Sequence, residues 1–251
     1  MKSIIHTTLL VLFSLTIGNA QKQETMKNPK IAMILSSHEQ LGNTDKTTGY
    51  FLSEVTHAYE VFKEEGYDIT FVSPEGGLPP VDGFDLEDPI NKKFWEDEAF
   101  QEKLKNTYKP SEIKAEEYDV IYYAGGHGTM WDFPNNEELS SIATTIYEKD
   151  GIVSAVCHGP SGLVNIKLSN GKYLVDGKNI SVFTNEEEEN VGLTEVVPFL
   201  LEDKLQSRGA TIIKADMWQE KVSVDERLVT GQNPASAGLV AKKVVELIKN
   251  N

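Results

Sequence analysis

Unbroken apolar runs, each followed or preceded by a stretch with helical period, constrain this chain more than any other feature. Residues 30–36, KIAMILS, read as a first buried strand. A strand solvated on one face alternates in polarity, whereas one covered on both faces is apolar throughout. Residues 52–65 follow with helical spacing: Leu52, Val55, Tyr59 and Phe62 share one face. Gly66 ends that helix, and YDITFVSP reads as the next strand. This β-α-β start is typical of a parallel sheet. EEYDVIYYAGGHG is a third strand running into a glycine turn, 136–149 a helix, and GIVSAV a further strand with a helix beginning over 161–168. Residues 74–92 read as a long loop and 95–106 as a surface helix. Short strands are expected over 171–183, around a DGK turn, and in GATIIKAD, KVSVDE and RLVTG. A helix is expected over 194–207, with Pro198 near its first turn, and a closing helix in ASAGLVAKKVVELIKN. The alternation predicts an α/β fold. It is a single-domain α/β/α sandwich, flavodoxin-like, with a mainly parallel sheet.

The sole cysteine, Cys157, stands where the run IVSAV meets His158 and Gly159. A sharp strand-to-helix turn there projects one side chain at the carboxyl edge of the sheet, as a nucleophile elbow does. A thiol in that place, with a histidine beside it, can be held as a reactive thiolate. A lone cysteine can equally serve as a small buried hydrophobe.

The chain opens MKSIIHTTLLVLFSLTIGNAQ, a lysine, a short apolar run and then small residues. This predicts a signal peptide over 1–20, cleaved after Ala20, and export to the periplasm or outside. A short extension over 21–29 and one catalytic domain over 30–251 complete the expected layout. No second long apolar segment follows, so no stable membrane insertion is expected after cleavage. The formal charge of −15 argues against nucleic acid or an anionic membrane as partner. One cysteine forms no internal disulfide, so packing must supply the stability. Neither GxGxxG after the first strand nor GxxxxGK[ST] is present, and no nucleotide cofactor is suggested. The histidines and acids lack a strong zinc spacing, so no catalytic metal is expected.

Active sites in parallel sheets gather beyond the carboxyl ends of the strands. Cys157 would be the nucleophile and His158 its proton partner. Glu186, Glu187, Glu188 or Glu189 could orient the imidazole, with the other three on a solvated face. Glu54 could point from the first helix toward the strand ends, where burial would raise its pKa. Gly125 and Gly126 would let backbone N–H groups approach a substrate oxygen. His127 is a candidate substrate-loop residue, and Trp131 and Phe133 candidate pocket walls. His38 and His57 have no convincing partner in the sequence. Asp225, Arg227, Gln232 and Asn233 flank a late strand, where they could close the pocket or cap the last helix.

From about Lys30 to Ile248 the chain resembles the ThiJ/PfpI superfamily, also described as glutamine-amidotransferase-like. The residues that carry this are TGYFLSEVTHAYEVFKEEGY, AGGHGTMWDFP, AVCHGP, FTNEEE and RLVTGQNPASA. The branch it resembles is the heat-shock, glutathione-independent glyoxalase group. The resemblance implies catalytic roles for Cys157, His158 and the helix-borne Glu54. It also implies Glu188 as third acid, aligned through FTN and Gly192, with Glu187 as fallback, and an oxyanion site around Gly126 and His158. It further implies a small reactive carbonyl substrate such as methylglyoxal, no cofactor and a homodimer. A cysteine hydrolase, deglycase-like activity or a holding chaperone are the other functions it leaves open. ADMWQEKVSVD departs from the branch, so Met217 and Trp218 are expected to reshape the pocket.

Overall fold

In the computed structural model, which describes residues 28–250, the apolar runs form one six-stranded sheet. The signal peptide expected over 1–20, and residues 21–27 of the expected extension, lie outside the described residues. The strands are, in chain order, β1 (Lys30–Ile34), β2 (Tyr50–Phe51), β3 (Asp68–Val72), β4 (Val81–Asp82), β5 (Val120–Tyr123), β6 (Ile152–Val156), β7 (Asn179–Ile180), β8 (Thr211–Ile212), β9 (Val222–Asp225) and β10 (Leu228–Gly231). The sheet order is β3-β1-β5-β6-β10-β9, parallel except for β9 against β10. β2 with β4 and β7 with β8 make two short parallel pairs outside it.

The sheet is covered on both faces, which is why its strands lack polar alternation. Ile31 and Met33 of β1 enter one core with Val55, Phe62, Val240 and Val244, while Ala32 and Ile34 enter the other with Ile142, Ile146 and Leu205. Helices α1 (Leu52–Glu64) and α8 (Ala237–Asn250) lie on the first face. On α8, Ala237, Val240, Ala241, Val244 and Val245 form one buried stripe at helical spacing. The second face carries α5 (Glu137–Glu148) and α7 (Leu201–Gln206). The described chain is thus a single-domain α/β fold with a mainly parallel sheet flanked by helices.

Several expected boundaries move for identifiable reasons. The 95–106 helix is two helices, α2 (Pro89–Trp95) and α3 (Glu98–Lys105), because Asp88 and Asp97 each cap two backbone N–H groups. α2 therefore begins inside the stretch expected to be loop. The helix expected over 161–168 is a 3₁₀ turn over Gly159–Leu163, where Gly162 lies against the Tyr123 ring. The helix expected from 194 begins only at Leu201, beyond Pro198. Between 171 and 183 only Asn179–Ile180 is strand. Two further short helices, α4 (Thr129–Asp132) and α6 (Asn185–Asn190), carry residues of the site.

Candidate active site

Four parallel strands deliver the site at their carboxyl ends. β1 leads to Ser36, β5 to Gly125 and Gly126, β6 to Cys157, and β10 to Gln232 and Asn233. Cys157 takes φ 59 immediately after β6. A side chain in that left-handed region costs about 1–2 kcal/mol. Backbone bonds on both sides hold it there: Cys157 N–H donates to Gly231 O at 3.0 Å, and Phe183 N–H donates to Cys157 O at 3.0 Å.

The thiol lies 3.5 Å from His158 Nδ1. His158 Nε2 lies 2.8 Å from Glu188 Oε2, and His127 Nε2 lies 2.9 Å from Glu188 Oε1. Two imidazoles therefore share one carboxylate. Burial, then the neighbouring His127, pull the His158 pKa down to about 4 against the pull of Glu188. Burial works against the Glu188 charge, but His158 and His127 outweigh it and hold that carboxyl at about 2. At neutral pH Glu188 is thus the anion and His158 is neutral. With its Nε2 proton directed at Glu188, the other ring nitrogen is left to accept from the thiol.

Glu54 is fully buried in the first turn of α1. Its Oε2 accepts from Gly125 N–H at 2.7 Å. Its Oε1 is buried without a hydrogen-bond partner, and the carboxyl group interacts with the Cys157 thiol. Burial raises the Glu54 pKa to about 8, although the thiol and Gly125 N–H pull the other way. Burial, then the Glu54 charge, push the Cys157 thiol up as well. Two negative charges in one dry place are costly, so thiol and carboxyl both keep their protons at rest.

The glycine turn is set by close approach. A Cβ on Gly125 would stand 2.6 Å from Glu54 Oε2, and Gly126, at φ 101, would place one 2.3 Å from Gly49 O. Gly125 N–H is occupied by Glu54, so its own amide offers a substrate oxygen nothing. The Gly126 and His158 N–H groups are not used in the backbone network. Trp131 stacks on His38, with ring centres 5.0 Å apart, rather than on the Cys157 side chain. Phe133 is core, packed on Tyr123. His57 does have a partner, Asp88, at 2.9 Å.

Glu186 and Glu189 are solvated as expected, but Glu187 is not. It is buried and accepts from five donors. Thr184 N–H and Oγ1–H reach Oε2, while Trp218 N–H, Gln232 Nε2 and Asn233 Nδ2 reach Oε1. Thr184-x-x-Glu187 is a capping box, a pattern legible in the sequence that marks Glu187 as a structural acid. Gln232 and Asn233 thus belong to the site's support. Asp225 instead binds Asn179 and Lys178, and Arg227 lies over Tyr147, so neither closes the pocket.

His127, His158 and Glu188 offer ligand atoms within 4.8 Å of one another, a set suited to zinc. The contacts of 2.8 and 2.9 Å between them are shorter than the roughly 3.3 Å separating two donors on a tetrahedral zinc. Binding would require both imidazole–carboxylate bonds to open.

Comparison with known proteins is decisive at the family level. The DJ-1/PfpI family model matches residues 47–247. The chain belongs to the DJ-1/PfpI family. Within that family it is 35% identical to glyoxalase 3 of Candida albicans, over 88% of this chain and 99% of the relative. It is 32% identical to the glutathione-independent glyoxalase HSP31 of Saccharomyces cerevisiae, over 90% of this chain and all of the relative. Among solved structures, the 24 kDa rapid encystment protein of Francisella tularensis superimposes with a TM-score of 0.85 at 41% identity, over 88% of this chain and 99% of that one. The expectation drawn from AVCHGP and its companion motifs therefore holds for the family and for its glyoxalase branch. Among the described residues, no helix is long and apolar enough to cross a membrane.

Proposed function

We propose that this protein is a glutathione-independent glyoxalase that converts methylglyoxal and water to lactate, with Cys157 as nucleophile. The observation that carries the reading is the Cys157–His158–Glu188 relay with Glu54 beside the thiol. The named activities of the Candida and Saccharomyces relatives support it. Cys157 exposes only 3% of its surface, which suits a small aldehyde and leaves little access for an extended peptide. The strained turn at Cys157 acts as a nucleophile elbow on a flavodoxin-like sheet.

In this reading His158 Nδ1 takes the thiol proton as sulfur attacks the aldehyde carbon. It then passes that proton to the aldehyde oxygen, giving a hemithioacetal. A base removes the hydrogen from the former aldehyde carbon to give an enediolate. The hydroxyl proton passes from that carbon's oxygen to the neighbouring oxygen, and the base returns its proton to the neighbouring carbon. The result is a lactoyl thioester, with no net oxidation. Water hydrolyses it, releasing lactate and restoring the thiol. Glu54 keeps its proton at rest, so the base for the carbon-to-carbon transfer is its ionised form, which a pKa of about 8 leaves populated as a minority near neutral pH. The Gly126 and His158 N–H groups would stabilise the developing oxyanion. Export after cleavage at Ala20 is part of the same proposal, and N-terminal sequencing of the secreted or periplasmic protein tests it.

The deciding assay mixes purified protein with methylglyoxal, without glutathione, and separately quantifies D- and L-lactate. Lactate from the native protein and none from Cys157→Ala is the expected result. No lactate from a protein with a demonstrably reduced thiol would overturn the reading.

A further inference from the structure

Trp218 stands on a backbone that an aromatic residue rarely adopts, with φ 63. Such a conformation is strained for a residue with a side chain and persists only where surrounding contacts impose it. Two contacts do so. Trp218 N–H donates to Glu187 Oε1 at 3.0 Å, and the indole Nε1–H donates to Asn190 Oδ1 at 3.2 Å. The ring meets Phe183 edge-on at 5.8 Å, and Phe183 in turn lies 4.2 Å from the His158 ring. His127, 4.0 Å from His158, completes a row of four rings. Trp218 is the end of that row that reaches solvent, 41% exposed, beside the similarly exposed Met217.

We propose that Trp218 is a specificity-determining residue that limits the size of the group attached to the reacting carbonyl. In the same proposal Glu187 is the positioning residue that clamps Trp218 at the rim. The identity of the substrate rests on the function proposed above, but the steric claim does not. Glu187 suits the role because its five neutral donors come from three separate segments: Thr184, the Trp218 loop, and the Gln232–Asn233 turn. One buried carboxylate thereby fixes the rim loop relative to Glu188, the next residue along. Charge-assisted bonds of this kind are stronger than neutral ones.

Cys157 is the only cysteine, so alkylation of the whole protein reports on this site alone. The test compares alkylation rates for iodoacetamide and for the bulkier N-phenylmaleimide. Trp218→Gly removes the ring and relieves the left-handed strain, so folding is preserved. It should raise the N-phenylmaleimide to iodoacetamide ratio about tenfold, the scale on which pocket walls discriminate. Trp218→Phe should keep the ratio near native. Glu187→Gln should raise it, and Trp218→Gly with Glu187→Gln should go no higher than Trp218→Gly alone, because Glu187 acts through the ring. In turnover, phenylglyoxal should gain on methylglyoxal in kcat/KM in the same order. An unchanged alkylation ratio in Trp218→Gly, or an equal rise in Trp218→Phe, would overturn the specificity role. A further rise in the double variant would overturn the clamp. Native protein that fails to turn over methylglyoxal would defeat the proposed function, while the alkylation ratio would still decide this inference.

Discussion

At Glu54 two oxygens have different tasks, and that difference is testable. Oε2 is tied to Gly125 N–H, while Oε1 is buried without a hydrogen-bond partner in a carboxyl that interacts with the Cys157 thiol. Glu54→Gln keeps both geometries, since its amide oxygen accepts from Gly125 and its NH₂ donates toward sulfur. It cannot accept a proton from carbon. The variant should fold normally and lose about 10²-fold or more in kcat, the usual contribution of a general base. Its thiol alkylation profile should move to lower pH, because the Glu54 charge that pushes the Cys157 pKa up is gone. Both are read from a kcat profile and an iodoacetamide titration on one preparation. Glu188→Gln tests the other end of the relay. It removes the anion that holds the His158 tautomer, so kcat should fall about 10³-fold or more while the backbone stays in place. Cys157 is legible in the sequence because an apolar run that breaks at Cys-His-Gly marks a strand end carrying a thiol and a base side by side. Which glutamate meets His158 is not, because the capping box marks only Glu187, as a structural acid. The remaining glutamates look alike until the helix that carries them is docked and Glu188 is turned to the imidazole.

Between elements, Asp132 joins the end of β1 to α4. Its carboxylate accepts from Ser37 N–H at 2.7 Å and from Ser36 Oγ at 3.0 Å, and burial raises its pKa to about 7. The folded state therefore keeps this proton where the unfolded chain, near 3.8, has lost it. Stability contributed at this position falls as pH rises from about 4 to 7. Asp132→Asn should gain on the native protein through that window, measured as the difference in unfolding midpoint at pH 4 and pH 8. The capping box of α6 makes a second test. Thr184→Ala removes the Oγ1 that accepts from Glu187 N–H, at a cost of about 1 kcal/mol in denaturant unfolding. Helices α1, α5 and α8 are legible because their apolar spacing matches the helical period. The 194–207 stretch is not, because its apolar residues pack in turns before Leu201 and only Pro198 hints at the break.

Across the whole molecule, acid should act on the relay first. The folded His158 pKa, about 4, lies below its ordinary 6.5, so the unfolded chain binds this proton first. Stability from this group is complete above 6.5 and is lost as pH falls toward 4. His158→Gln should therefore show a shallower loss of unfolding midpoint between pH 6.5 and 4 than the native protein. The sequence alone determined the layered α/β architecture, the family and the place of the sole cysteine at a strand end beside a histidine. Apolar runs, helical spacing and the strand–Cys–His–Gly string are local patterns, and the first two record how many faces of an element are buried. Only the tertiary structure decided which glutamate meets His158, that His127 shares it, and that Glu187 reaches Trp218, Gln232 and Asn233. Those pairings join residues far apart in the chain across the carboxyl edge of the sheet. Their chemistry depends on distance and burial, which no spacing in the sequence encodes.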